Sequence, residues 1–488
     1  MYVYHPAQIP VFVTAWLLIA KEKWSFFPIG RTAGSLTMAV ITVVVQTLTP
    51  EEAFESIEYG TLALLWGMMV LVEYLKDDAL FNMFINKFFI DNKNLSPKKL
   101  LWLLAFTDGS MSALFTNDTM CIALTKTICY VCTERGYHPG PQMVAIAMSA
   151  NIGSAATLIG NPQNAIIATL SGISFAKFLA YSFPAMLVAL VINTFALSFY
   201  FRKELVENTE FATMAKQKLA EAGGATETTP FFPTSVPVDK SQLDELDAAE
   251  ANKILCCGPF SRSTNQRIFR KLLLLTIALT LAAFMANLDI GWVAAGGGCL
   301  AMSLDALINH RSPERILERV NWEILIFFSG LFVVIEGLQQ TMIPGQMLDS
   351  LESFMNMESV PGVLAFTVII TIGCNIFNNV PLTLLIGLAY TCRVNEETGE
   401  EKCEEFMNTI GDVDLGWIML AWVATVSGNL TLMGSVANLI VAEEGKNYFE
   451  MTFTYYSKFG FPITVVTLLV GVGIIGGLYT LTNPDLQD

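Results

Sequence analysis

"NIGSAATLIGNPQN", residues 151–164, decides how this chain is read. Apolar sequence flanks it on both sides, but its centre is Gly160-Asn161-Pro162-Gln163-Asn164. Pro162 donates no backbone hydrogen bond and disfavours helix just before it, and Gly160 permits unusual dihedrals. A helix entering this stretch should therefore break, leaving carbonyls and N–H groups free beside three amide side chains. Non-helical backbone at membrane depth is tolerated only where protein buries it or a cavity meets it. The break thus marks a place where a ligand is held.

The surroundings support a membrane setting. Of 488 residues, 53% are hydrophobic and 15% charged, with mean hydropathy +0.51. Soluble domains carry about 25% charged residues. Apolar runs long enough to span a bilayer recur, near 9–20, 32–49, 59–75, 142–172 and 179–201, then 271–287, 290–308, 322–340, 415–445 and 458–480. No cleavable leader is evident, and Lys21 and Lys23 come just after the first run, as at a cytosolic helix end. The net charge of −16 comes with no basic patch, so no nucleic-acid partner is expected. Nine cysteines show no paired CxxC spacing, the histidines form no HExxH, and "GWVAAGGGC" at 291–299 has no Walker lysine. No metal, cofactor or enzymatic chemistry is expected; the glycine run reads as helix packing.

Two further apolar blocks, 100–133 and 361–392, are interrupted by "FTNDT" and "FNNVP" and read as re-entrant hairpins. They belong to a duplication. "GMMVLVE" ending at Glu73 matches "GLFVVIE" ending at Glu336, 263 residues on. Asn117 of "FTN" matches Asn379 of "FNN", 262 on, and "LIGNPQN" matches "LMGSVAN", placing Gly160 on Gly434 and Asn164 on Asn438, 274 on. Each half has five spans, so the second must be inverted. With the N-terminus outside, Lys177, Arg393 and Lys402 are the only outside residues among 28 Lys and Arg. The fold class is an all-α polytopic membrane protein of two inverted five-helix repeats, each with a hairpin and a broken helix. The first repeat is 1–203, with its hairpin at 100–133 and broken helix at 142–172. A cytosolic acidic linker at 204–268 is expected to lack fixed structure. The second repeat is 269–488, with its hairpin at 361–392 and broken helix at 415–445. Both termini are expected outside, and inverted repeats with broken helices are a plan of secondary transporters.

Candidate substrate-binding residues are Asn117, Thr119, Asn151, Asn161, Gln163, Asn164, Asn378, Asn379, Asn429, Thr431, Ser435 and Asn438. The second break, "SGNLTLMGSVAN", has no proline and rests on Gly428 and Gly434. The bland reading of these polar residues is helix packing, which two matched segments beside two hairpins make the weaker one. Asp118, at the first tip, is an intramembrane carboxylate and a candidate for proton coupling; its counterpart is Val380. The competing reading is a helix N-cap. Asp108 and Lys126 flank the tip at equal spacing, which favours a mutual ion pair, though Asp108 stays a coupling candidate. Glu73 and Glu336 are lower-ranked relay candidates, since span ends also place carboxylates at the interface. Cys392 and Cys403, at an outer loop, could form a disulfide.

"PIGRTAG" at 28–34, "ALFTNDT" at 113–119, "SANIGSAATLIGNPQN" at 149–164, "ISFAKF" at 173–178, "NNVP" at 378–381 and "GNLTLMGSVANLIVAE" at 428–443 resemble the silicon efflux transporters of plants and algae. These are related to the membrane subunit of bacterial arsenite pumps, in the ion transporter superfamily. The resemblance covers the chain except 204–268. It implies ten spans and two hairpins, a scaffold with a moving, elevator-like transport part, a homodimer in the plasma membrane, and proton-coupled export of silicic acid, with arsenite as an alternative cargo. Related carboxylate carriers use a Ser-Asn-Thr hairpin motif for sodium and substrate. Here Asn117-Asp118-Thr119 and Asn378-Asn379-Val380 stand in its place, and the second tip's missing hydroxyl argues against paired sodium sites.

Uncharged hydroxylated acids need only donors and acceptors such as Asn, Gln, Ser and Thr. No arginine lies in a broken segment or hairpin core, where an anion carrier would place one. The partners expected are thus a small neutral solute, protons and the lipid bilayer. A sodium/proton antiporter, an inorganic anion transporter and a passive channel stay open as alternatives.

Overall fold

A computed structural model of the chain describes residues 8–20, 30–77, 85–92, 94–206, 262–394 and 401–483. The expected linker at 204–268 therefore falls largely outside the described residues. Among the described residues, seven helices are long and apolar enough to cross a membrane, which makes this a multi-pass membrane protein.

The first half runs α1 (Gln8–Ala20), α2 (Gly30–Val44), α3 (Pro50–Glu55), α4 (Tyr59–Asp77), a hairpin of α5 (Pro97–Phe115) and α6 (Asn117–Arg135), a broken pair α7 (Gly140–Ser154) and α8 (Pro162–Leu170), and α9 (Phe175–Tyr200). The second half repeats the order: α10 (Arg262–Met285), α11 (Ile290–Asn309), α12 (Glu314–Leu317), α13 (Trp322–Gln339), α14 (Ile343–Glu352), the hairpin of α15 (Val360–Phe377) and α16 (Asn379–Gly387), β1 (Tyr390–Val394), β2 (Glu401–Glu405), α17 (Phe406–Thr409), the broken pair α18 (Val413–Ser427) and α19 (Val436–Gly445), and α20 (Phe453–Thr482).

The packing exchanges the halves. Helix α4 packs on α11, and its counterpart α13 packs on α2; α6 packs on α19, and α16 packs on α8. Glycine makes both first contacts close. A Cβ on Gly67 would sit 2.2 Å from the Ala294 backbone, and one on Gly330 2.8 Å from that of Ser35. The glycine run in α11 serves this packing, with Gly298 lying against Gly67. Helices α9 and α20 pack on each other and each contains a proline, Pro184 and Pro462, 278 residues apart.

Two features depart from the sequence reading. The second hairpin is shorter than 361–392: its returning arm stops at Gly387, giving nine residues where the first hairpin's arm has nineteen. Beyond that arm the chain forms a two-stranded antiparallel hairpin, β1 with β2, so the described residues are not wholly helical. Its register sets Cys392 opposite Cys403, but their side chains, and the expected bond, lie outside the described residues.

Candidate functional site

Both hairpins turn on a residue in the same rare conformation. Thr116 has φ 72° and ψ 142°, and Asn378, 262 residues later, has φ 72° and ψ 155°. Positive φ on non-glycine residues costs on the order of 1–3 kcal/mol and persists where surrounding structure enforces it. At the first tip that enforcement is visible. The Asn117 N–H donates to the Gly160 carbonyl (3.1 Å), and its side-chain amide donates to Asn151 Oδ1 (2.9 Å).

The breaks are built alike. Asn164 Nδ2 donates to the carbonyls of Ser154 (3.2 Å) and Thr157 (2.9 Å), ten and seven residues before it. Asn438 Nδ2 donates to those of Gly428 (2.8 Å) and Thr431 (3.1 Å), at the same spacings. Each amide thus closes over carbonyls that the broken helix leaves without helical partners. Gly160 and Gly434 let the returning chain pass: an added Cβ would lie 2.2 Å from the Ser154 carbonyl oxygen and 2.8 Å from that of Gly428. The first break has an extra device. Asn161 caps α8, its Oδ1 accepting the Asn164 N–H at 2.9 Å, with Pro162 opening the helix. Ser435, at the matching place, makes no side-chain cap, and a 3₁₀ turn at Leu432–Gly434 replaces the proline-led start.

The breaks cross, each first arm holding the other's second arm. Asn151 donates to Asn438 Oδ1 (3.0 Å) and Asn429 Oδ1 (2.9 Å), and accepts the Ser435 hydroxyl (3.1 Å). Thr425, its repeat equivalent, donates to Asn164 Oδ1 (3.3 Å) and accepts from Asn161 and Gln163 (3.2 Å each). Asn429 also donates to the Met148 carbonyl (3.2 Å) and accepts from Tyr456 Oη (3.4 Å). Asn151, Asn161, Asn164, Asn429 and Asn438 are all 1% exposed or less, so this conformation closes the crossing off from both sides.

Of the twelve candidate binding residues, the structure joins Asn117, Asn151, Asn161, Gln163, Asn164, Asn429, Ser435 and Asn438 in this one network. Asn379 stands beside Gly428, and Thr431 Oγ1 donates to Asn375 Oδ1 (3.4 Å), as Thr157 donates to the Ala113 carbonyl at the equivalent place. Thr119 and Asn378 sit half-buried at the tips, Thr119 accepting the Thr116 hydroxyl and Asn378 capping its own α16. Sequence reasoning misses Thr425, Asn375 and Tyr456. The 274-residue offset from Asn151 is enough to find Thr425.

The carboxylates divide. Asp118 lies half-buried in the first turn of α6, and the N-cap is Thr116, so Asp118 is not a capping residue. The helix N-terminus still favours its charge. Arg31, at the start of α2 and within the "PIGRTAG" motif, acts on Asp118 electrostatically. The expected Asp108–Lys126 pair does not form: Lys126 Nζ meets Glu444 Oε2 of α19 at 2.6 Å. Equal spacing about a hairpin tip sets depth, not facing, and Lys126 faces the neighbouring α19. Glu73 pairs with Lys76 (2.7 Å), and Glu336 accepts from Gln340 (3.0 Å); both are engaged within their own helices' ends.

Two broken helices crossing through amides and hydroxyls, beside two hairpin tips, define a membrane transporter with a buried polar centre. The comparisons agree. The citrate transporter (CitMHS) family profile matches residues 16–395, and the chain belongs to that family. It is 32% identical to the silicon efflux transporter LSI3 of Oryza sativa subsp. japonica over 482 residues, 94% of this chain and 95% of that one. It is 29% identical to a transporter designated arsB in Dictyostelium discoideum, over 95% and 91% of the two chains. A 46 kDa membrane protein of Mycobacterium leprae is 25% identical over 95% and 96%. The chain is a secondary transporter of this type.

Proposed function

We propose that this protein exports silicic acid, with arsenite as an alternative cargo, in exchange for protons, and that the crossing of the two broken helices is its binding site. One observation carries the reading. The crossing consists of amides, hydroxyls and freed carbonyls, and among the described residues no lysine or arginine is one of their hydrogen-bonding partners. Such a site matches a neutral solute that offers only hydroxyls. The similarity to a silicon efflux transporter over nearly the whole chain favours the same solute. Asp118, at the tip bonded to this network, is the group we assign to proton coupling, with Asp108, Glu73 and Glu336 ranked after it.

In this reading the halves are inverted in the bilayer, the termini lie outside, and the linker is cytosolic. The transport part moves against a scaffold in a homodimer of the plasma membrane. A second reading is favoured by Arg31, whose charge reaches the first tip, and by the family's citrate-transporting name: a carboxylate anion neutralised there. Proteoliposomes with an imposed pH gradient separate the two. Uphill movement of silicic acid or arsenite without sodium dependence supports the first. Uphill movement of citrate and not of these acids overturns it, and movement of all solutes only down their gradients identifies a channel.

A further inference from the structure

The two halves differ at the crossing itself, in one buried pair. Helix α20 laid on α9 at the 278-residue spacing of their prolines places Tyr456 on Phe178. The 274-residue spacing of the breaks places Asn429 on Ala155. Tyr456 Oη donates to Asn429 Oδ1 at 3.4 Å, so the second half has a bonded polar pair. The first half has alanine and phenylalanine there, both 0% exposed and both in one apolar core. Gly460 keeps α20 close to the polar pair: an added Cβ would lie 2.7 Å from the Asn429 carbonyl oxygen and 3.0 Å from the Tyr456 ring.

The Tyr456 hydroxyl is not what holds Asn429. Asn429 Oδ1 already accepts from Asn151 at 2.9 Å, and its Nδ2 donates to the Met148 carbonyl at 3.2 Å. Both bonds stay when the hydroxyl is removed. The hydroxyl's own bond is long, since O–H···O bonds are usually about 2.5–3.0 Å. It shares its acceptor with Asn151, and Asn438 on α19 also bears on it. Phenylalanine fills the matching place in α9 fully buried, so the shared frame has no need of an oxygen there. A tyrosine oxygen donates one hydrogen bond and accepts others. At Tyr456, 0% exposed and beside two amides of the second break, that capacity is largely unused.

We infer that Tyr456 is a specificity-determining residue of the crossing, its hydroxyl bonding directly to a hydroxyl of the transported solute. The inference rests on the neutral-solute reading of that site. The long bond to Asn429 is the one a solute replaces when the crossing opens. Silicic acid has one hydroxyl more than arsenous acid, and a site that bonds the additional hydroxyl favours silicic acid.

Efflux of silicic acid and of arsenite by the full-length protein in proteoliposomes tests it. Tyr456→Phe copies Phe178 of the first half and should keep the wild-type melting temperature and maximal rate. Its KM for silicic acid should rise about tenfold, the loss of about 1.4 kcal/mol, and its KM for arsenite should rise clearly less. Tyr479→Phe removes another buried hydroxyl of α20, one that donates to Asp412 at 2.6 Å, and should change neither KM. An unchanged silicic-acid KM in Tyr456→Phe overturns the assignment, and equal rises for the two acids overturn the specificity role. Failure of Tyr456→Phe to fold, or a lowered melting temperature, shows a hydroxyl that the fold itself needs and overturns it as well. A wild type that carries neither acid sinks the neutral-solute reading separately. Citrate then takes their place: a raised citrate KM at an unchanged maximal rate keeps the solute contact, and an unchanged one removes it.

Discussion

Asn151 and Thr425 occupy the same place in the two halves and do the same work across the crossing, but only one of them reaches a hairpin. Asn151 gathers Asn429, Asn438 and Ser435 from the other half and also holds Asn117 at the first tip. Thr425 gathers Asn161, Gln163 and Asn164, and nothing from the second tip. Asn379 Oδ1 there is buried without a partner, as Asn117 Oδ1 is at the first tip. The first tip is therefore tied through side chain and backbone to the centre. The second is tied through Asn375, one turn back on its outgoing arm, whose Nδ2 donates to the Ser427 carbonyl at 3.3 Å. Charge obeys the same asymmetry. Asp108 and Asp118 belong to the first hairpin, and their counterparts 262 residues on are Ile370 and Val380. The two halves share the frame of breaks and tips, and the ionisable side chains of the hairpins lie where the halves differ.

The largest effect expected from breaking that difference is at Asp118. Asp118→Asn keeps size and hydrogen bonding and makes the first tip as uncharged as the second. Uphill, pH-driven efflux should be lost, with solute exchange at equal pH retained in part. Proteoliposome flux with and without a pH gradient measures both. Uphill transport at the wild-type rate and with unchanged pH dependence would remove Asp118 from the coupling role.

Next come the two hubs. Asn151→Ala strands Asn117, Asn429, Asn438 and Ser435 at once; Thr425→Val, which keeps the shape, strands fewer groups. With each unpaired buried group costing about 1–3 kcal/mol, the first should lower the melting temperature more, and it alone should disturb the first hairpin. Hydrogen exchange at residues 112–122 reads that second consequence. Equal protection there in the two variants would show that the tie from Asn151 to Asn117 is incidental.

The breaks themselves should differ by less. Asn164→Ala and Asn438→Ala each release two carbonyls. The first break keeps Pro162 and the Asn161 side chain, whereas the second has neither. Asn438→Ala should therefore be the more damaging by about 1 kcal/mol, the typical worth of a helix cap. Thermal melts of the paired variants check the sign, and a larger loss for Asn164→Ala would show that the proline-led break depends on its amide after all.

Much of this frame is legible in the sequence because breaks and tips are written in residue chemistry. Glycine, proline and amides at 160–164 and 434–438 announce a broken helix whatever packs around it, and matching motifs fix which residues correspond. What the sequence hides is facing. Nothing in "GRTAG" says that Arg31 will reach the first tip, because that depends on how α2 docks. Depth alone assigns Lys126 to Asp108, and the neighbour that takes it, Glu444, is 318 residues away. Thr425 escapes notice because a threonine in "ATVSG" looks like ordinary helix packing unless it is laid on Asn151. The short return arm of the second hairpin, ending at Gly387, is masked by the apolar run that continues into β1.

The smallest effect concerns the connectors between hairpin and broken helix, which also differ: a β-hairpin in the second half, a four-residue turn at 136–139 in the first. His138 sits in that turn. Its Nδ1 accepts the Gly140 N–H at 3.2 Å, which requires that nitrogen to be unprotonated, and its ring packs edge-on against Phe449. Burial lowers its pKa below the ordinary histidine value, and the Glu204 carboxylate, 3.5 Å away and itself accepting from Tyr455 Oη, opposes that only in part. A group that is harder to protonate in the folded chain than in the unfolded one costs nothing above the unfolded pKa near 6.5 and destabilises the fold progressively as pH falls below it. Between pH 7.5 and 5 the wild type should therefore lose about a degree or two more of melting temperature than His138→Gln, whose amide oxygen can accept the Gly140 N–H at any pH. If acid instead stabilises the wild type relative to His138→Gln, the Glu204 carboxylate outweighs burial, and this turn is held by an ion pair.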